Sequence, residues 1–226
     1  MKYYFWYLQK EFIKGGKMRN IYDYTLEELE EYFNKNNEKK YRATQIYEFL
    51  YKKRVKEVEQ MKNIGKNAIK LLRDHFSFSW IKLVTKQEDK DVKKYLFELE
   101  DGGRIETVLM YHNYGTSVCV SSQVGCNMGC KFCESGRLKK IRNLFAYEIV
   151  EQIIFIEEDI KSRISHVVIM GIGEPFDNYD NVMNFIKIIN CPKGIDIGAR
   201  HITVSTCGIV PGIKNSQMKI SKSTLL

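Results

Sequence analysis

Long apolar runs are missing from this sequence. None of its 226 residues falls in a run approaching the roughly 18 consecutive apolar side chains that a membrane-spanning helix needs, so no membrane partner is expected. The opening stretch Met1 to Ile13 is aromatic, but Lys10 and Glu11 interrupt it and no small-residue cleavage site follows. It does not read as a secretory leader, and Met18 stands as an alternative start. There is no internal repeat and no low-complexity tract, which sets aside solenoids and biased tails. A disulfide framework is also absent: the six cysteines are unevenly spread, with Cys119, Cys126, Cys130 and Cys133 close together and Cys191 and Cys207 apart. In a cytoplasmic protein, the expected location here, such a cluster points to metal or redox chemistry.

What is present suffices for a packed core. Hydrophobic residues make up 44% and aromatics 12%, which excludes wholesale disorder. The 36 basic residues outnumber the 28 acidic ones, for a net charge of +8. That excess suits a nucleic-acid partner, whose phosphates supply much of the affinity. A lysine-rich composition spread over a solvated surface gives the same number, so charge alone leaves both readings open.

Three short helices open the chain. Thr25 and Glu28 form a capping box ahead of Leu26, Leu29 and Phe33; a second helix carries Ile46, Phe49 and Leu50, and a third Ile69 and Leu72. The period then changes to two. Trp80 to Lys86, Lys94 to Glu100 and Arg104 to Met110 read as strands, with Asp101-Gly102-Gly103 as a hairpin turn. From Thr116 the order is strand, loop, helix, strand, helix, strand: Val118 to Ser122, the stripe Ile149, Ile153, Ile156 and Ile160, then His166 to Met170, Val182 to Ile189, and His201 to Thr206. Such alternation implies parallel βα units in an open sheet or a barrel. About three units are visible, and after Gly212 no periodicity remains.

The spacing Cys126-x3-Cys130-x2-Cys133 carries the most chemistry. Three thiolates on one tight loop can hold three irons of a [4Fe-4S] cube and leave the fourth iron open to an external ligand. A structural zinc site is the alternative, but it normally takes four ligands, often in paired knuckles, and no second knuckle exists. Phe132, Gly125 and Gly129 fit a loop wrapped around a bulky cofactor. The loop follows the first strand of the βα series, at the strand end where barrel active sites gather. Met170-Gly171-Ile172-Gly173-Glu174-Pro175 ends the next strand, where glycines admit close backbone approach and a carboxylate can take an ammonium group. Ser205 ends the third. Alone, each of these two also fits an ordinary strand end.

Taken together, the cysteine loop, the aromatic before its last cysteine and the Gly171 to Pro175 segment resemble the radical S-adenosylmethionine superfamily. Cys119 to Cys126, Tyr41 to Tyr47, Arg104 to Val108 and Ile202 to Gly208 resemble, within it, the RlmN/Cfr family of RNA methyltransferases, over roughly residues 20 to 214. The resemblance implies an α/β fold, with a small helical domain and a β-hairpin region ahead of a partial (βα)6 barrel. It implies methylation of C2 of adenine in 23S rRNA and in tRNA, with S-adenosylmethionine (SAM) as cosubstrate and a reductant such as flavodoxin. Cys126, Cys130 and Cys133 would hold the cluster, while Gly173, Glu174 and Ser205 would contact SAM. Glu106 would be the proton acceptor and Cys119 the thiol that resolves the adduct by forming a disulfide. Without the resemblance, Cys119 reads as a core thiol and Glu106 as an exposed strand carboxylate.

Two departures from the family pattern stand out. Glu134-Ser135-Gly136 replaces the usual Ala-Thr-Gly, which leaves the cluster intact. The methyl-carrying cysteine of the family matches no residue here, because Leu226 precedes the family's later strands; the expectation is a truncated and inactive chain. Glu174-Pro175, rather than Glu-Ala, favours C2 over C8. The expected divisions are an extension at 1–17, a helical accessory domain at 18–76, hairpins at 77–112, a truncated core at 113–214 and a tail at 215–226, in a monomer. Competing readings are an activase that makes a glycyl radical on a protein, and a non-catalytic RNA-binding product.

Overall fold

The first regular helix begins where its cap predicts. Thr25 Oγ1 accepts from the Glu28 N–H at 3.2 Å and the Glu28 carboxylate accepts from the Thr25 N–H at 2.9 Å, which satisfies two donors of helix α1, Leu26–Lys35. Removing the side-chain half of this cap by Thr25→Ala is expected to cost about 1 kcal/mol, read as a lowered urea midpoint; an unchanged midpoint would contradict it. Helices α2, Lys40–Tyr51, and α3, Lys66–His75, follow. Leu29, Phe33, Ile46, Tyr47, Leu50 and Leu72 are wholly buried, whereas Ile69 is only half-buried.

The computed structural model describes residues 18–219 and 224–225. The extension expected at 1–17 lies outside them, as do tail residues 220–223 and 226. The chain divides between Ser79 and Trp80, and the helices above belong to the first unit.

The second unit is built on one sheet. Strands β1 (Lys82–Glu88), β2 (Val92–Glu98), β3 (Arg104–His112) and β4 (Gly115–Val120) form an antiparallel meander. The hairpin residues fall as the alternation predicts, with Tyr95, Phe97 and Leu99 buried on one face. The strand ends differ by about two residues because the Leu99 to Gly103 turn takes Leu99 and Glu100 out of the ladder. Beyond β4 lie the two-residue strands β5 (Gln123–Val124) and β6 (Arg142–Asn143), helix α4 (Ala146–Ile160), β7 (His166–Ile169), α5 (Tyr179–Asn190), β8 (Ile202–Val204), α6 (Val210–Lys219) and β9 (Thr224–Leu225). The main sheet runs β1-β2-β3-β4-β7-β8-β9 and is parallel from β4 onward. Those are the three βα units expected from the sequence, followed by one further short strand.

Register assigns the two faces. Val118, Val120, Val167, Ile169, Ile202 and Val204 are buried on one face, where Thr107 bonds Gln152 of α4. Cys119 pairs with Val108 and Val168, and Val168 with Thr203, so these line the opposite face. Helix α4 is buried almost all round through Ile154 rather than along one stripe. Its carboxylates are taken up by specific donors: Glu151 by the Ile81 N–H and Glu157 by the Ile164 N–H, both at 2.9 Å. The stretch after Gly212, which shows no periodicity, is helical to Lys219. Pro211 in its first turn is compatible with a helix start, and Gly212 lies close against the Phe176 side chain.

Candidate cofactor site

The cysteine loop hangs from a closed neck. Gln123 pairs with Asn143 and Val124 with Arg142, and the neck continues with Ile141 N–H to Val124 O at 2.7 Å and Cys126 N–H to Leu138 O at 2.9 Å. Gly125 makes that closure possible. Its φ is +74° and a Cβ would stand 2.2 Å from the Lys139 carbonyl oxygen, so only glycine fits. Arg142 then ties the loop's exit to the body. Its guanidinium forms a bidentate pair with Glu148, both bonds at 2.7 Å, and reaches Asp101 in the hairpin turn at 2.5 Å. Asp101 is held down to about 2, chiefly by that bond.

Between the neck residues the chain makes turns and bends and one 3-10 turn at Glu134–Arg137. Cys126, Cys130 and Cys133 are half-buried and unbridged, and the Cys133 N–H bonds the Cys130 carbonyl at 3.1 Å. Phe132 is 95% exposed, and Leu138 and Ile141 in the same loop are exposed too. No three His, Cys, Asp or Glu side chains among the described residues are drawn together as a metal group. The donor set nonetheless fits a cluster held by three thiolates: three free thiols share one loop that is fixed at its neck and irregular inside.

The Gly171 to Pro175 segment docks directly behind this neck. Ser122 and Gln123 both donate their N–H to the Ile172 carbonyl, at 2.9 and 3.1 Å, while the Gln123 side chain accepts from the Glu174 N–H at 2.9 Å. Gln123 also donates to Asn143 and to Asp177, and Lys140 pairs with the same Asp177 carboxylate at 2.7 Å. Glu174 is only 3% exposed. Its oxygens accept from the Phe176 N–H, the Thr206 hydroxyl at 2.7 Å and the Cys207 N–H at 2.8 Å. The carboxylate thus clamps the end of β7 to the end of β8, with Ser205 next to that clamp. The Cys207 thiol bonds the same carboxylate, so its acceptor positions are all engaged within the chain, and a ligand ammonium would displace one of these donors. Cys207 is exposed as a residue, yet desolvation of its thiol, the adjacent Glu174 carboxylate, and Cys130 and Cys126 push it up to about 11.

Glu106 and Cys119 share the sheet face opposite α4. Glu106 is half-exposed and pairs with Lys94 at 3.1 Å. The Cys119 thiol is raised by burial, offset in part by a bond from the Met170 backbone, which keeps it protonated at neutral pH. Ser121 joins these parts: its hydroxyl donates to the Glu106 carbonyl at 2.5 Å and accepts from the Ile172 N–H at 3.0 Å.

Much of the chain is similar to known proteins. Residues 19–77 match the family model described as ribosomal RNA large subunit methyltransferase N-terminal domain, and residues 120–219 match that of the radical SAM superfamily. A probable dual-specificity RNA methyltransferase RlmN of Acholeplasma laidlawii is 56% identical over 195 residues. In sequence the chain is similar to the RlmN family of radical SAM proteins. A second RlmN, from Enterococcus faecalis, is 56% identical over 201 residues. Both alignments cover 86% of this chain but 58% and 56% of the relative, so the chain spans somewhat over half the length of these RlmN proteins. The crystal structure of a radical SAM methyltransferase from Sphaerobacter thermophilus superposes with a TM-score of 0.82 at 35% identity, covering 92% of this chain and 62% of that one.

Several residues that shape this site carry no motif of their own. Gln123, Ser121, Gln152 and Asn178 are buried polar side chains whose partners lie far off in sequence; Asn178 donates to the Ser122 and Leu144 carbonyls at 2.8 Å.

Proposed function

We propose that this chain is the cluster-bearing portion of a radical SAM enzyme that methylates C2 of adenine in 23S rRNA and in tRNA. One observation carries the reading: three unbridged thiols hang at the C-terminal end of β4, where the ends of β7 and β8 bring Glu174 and Ser205. Cys126, Cys130 and Cys133 would hold a [4Fe-4S] cluster, and Gly173, Glu174 and Ser205 the SAM. When bound, the cluster supplies the single electron that splits the SAM sulfonium and starts radical chemistry at an electron-poor carbon. Glu106, half-exposed and charge-paired to Lys94, accepts the proton that C2 loses. Cys119 is kept as a thiol by burial and resolves the adduct as a disulfide with the family's methyl-carrying cysteine. The positive net charge supports RNA as the partner. A flavodoxin-type reductant, a monomeric state and a cytoplasmic location complete the proposal; no helix among the described residues is long and apolar enough to cross a membrane.

Anaerobic reconstitution with iron and sulfide tests this reading. About four irons per chain are expected, with most of the iron lost in Cys126→Ala, Cys130→Ala and Cys133→Ala and retained in Cys191→Ala. Iron retained in all three loop variants, or zinc bound in its place, would contradict the cluster assignment. Unmodified tRNA should bind the same preparation with steep salt dependence. Absence of RNA binding beside intact SAM cleavage would instead favour a protein-directed radical enzyme.

A further inference from the structure

Three of the chain's four histidines gather at the end of the sheet opposite the cysteine loop. His112 closes β3, His166 opens β7, and His201 immediately precedes β8. His166 Nε2 and His201 Nδ1 stand 2.9 Å apart. The ring centroids are 4.5 Å apart with the planes at 46°, closer than two imidazoles meeting end-on. The rings therefore lean off the line joining the two nitrogens, as two ligands of one ion must.

The proton positions follow from the neighbours. Ser165 Oγ donates its one proton to the Thr116 carbonyl at 2.9 Å, so it can only accept from His166 Nδ1, also 2.9 Å away. His166 Nε2 is then left with its lone pair, directed toward His201. His201 is exposed, and the proton on its Nδ1 can move to Nε2 in water, which leaves lone pairs on both facing nitrogens. The chain from His166 to Ser165 to Thr116 is the arrangement that fixes the tautomer of a ligating histidine.

We infer that His166 and His201 form a bidentate site for a late divalent transition-metal ion, with water completing the shell. At metal–nitrogen distances of about 2.0–2.1 Å, donors 2.9 Å apart subtend roughly 90° at the ion. That angle suits tetragonal Ni(II) or Cu(II) and is too narrow for tetrahedral zinc. Tyr114, 68% exposed, flanks the pair: its ring lies edge-on to His166 at 5.3 Å and stacked on His112 at 4.7 Å. The site lies apart from the cysteine loop and needs neither a cluster nor SAM.

Ni(II) titration of the reduced full chain by equilibrium dialysis, with absorbance recorded in parallel, tests the site. One equivalent should bind without the absorption that thiolate ligation brings, and more tightly than Zn(II). His166→Gln and His201→Ala should weaken it more than about 100-fold, and Ser165→Ala by about tenfold. Cys130→Ala should leave it in place. In the unsubstituted chain, paramagnetic Ni(II) should broaden the Tyr114 and His112 ring signals in NMR first, a readout independent of how the variants fold. Unbroadened Tyr114 and His112 signals would overturn the inference. So would unchanged binding in His201→Ala, or binding that carries thiolate absorption and disappears with Cys130→Ala.

Discussion

Gly173→Ala is expected to destabilise the second unit by on the order of 4 kcal/mol and to disassemble the strand-end site. Two independent costs add. The backbone φ of +111° is one that a side chain rarely adopts, and an added Cβ would stand 2.6 Å from Gln123 Cβ and 2.9 Å from its backbone nitrogen. Gln123 cannot retreat, because its side chain is tied to Asn143, Asp177 and Glu174 at once. The segment would have to lift, taking Glu174 away from Thr206 and Cys207 and opening the neck of the cysteine loop. Gly129 provides the internal control. Its φ is also positive, at +65°, but nothing lies within 4 Å of an added Cβ, so Gly129→Ala should cost only about 1–2 kcal/mol. Urea unfolding of both variants measures the difference, and equal losses would show that steric contact at Gln123 plays no part.

Gln152→Leu is expected to be nearly as damaging although it keeps the volume and adds apolar surface. Gln152 Oε1 accepts from the Thr107 hydroxyl at 2.8 Å and the Ser121 N–H at 2.9 Å, while Nε2 donates to the Ser121 and Glu148 carbonyls at 3.1 Å. The residue is fully buried, so no water can replace the amide. Leucine would strand the Thr107 hydroxyl and both backbone groups of Ser121, at roughly 1–3 kcal/mol each. The total is on the order of 4 kcal/mol once some relaxation is allowed. Ser121 in turn positions Glu106 and Ile172, so the loss should extend to cofactor loading. Unfolding free energy and iron content measured together test this; a variant as stable as the parent would contradict it.

These two side effects mark the boundary of what local sequence discloses. The Thr25 cap, the period-two strands around Asp101-Gly102-Gly103 and the cysteine spacing are all legible because cause and effect lie within a few residues. The neck of the cysteine loop is not. Strands β5 and β6 have two residues each, too short for any period, and they meet only because Gly125 lets the chain fold back on Lys139. Gln123 and Gln152 are hidden for a related reason: their partners stand 51 and 31 residues away, and an amide in a sequence does not announce burial. Glu174 was legible as a carboxylate at a strand end. The two bonds by which it joins β7 to β8 are not, since they depend on where Thr206 and Cys207 arrive. The apolar stripe of α4 is legible in its isoleucines, whereas the burial of Glu148, Glu151 and Glu157 follows from donors supplied by Arg142, Ile81 and Ile164.

As proposed above, the loop from Cys126 to Cys133 would hold a cluster with one iron open to SAM beside Glu174 and Ser205. Anaerobic reconstitution followed by EPR of the reduced protein, recorded with and without SAM, tests it most directly. A [4Fe-4S] signal whose shape changes when SAM is added is expected, with the change lost in Gly173→Ala. A signal indifferent to SAM would leave the cysteine loop as a cluster site but contradict the assignment of Gly173, Glu174 and Ser205. The absence of any cluster signal would contradict cluster binding by Cys126, Cys130 and Cys133.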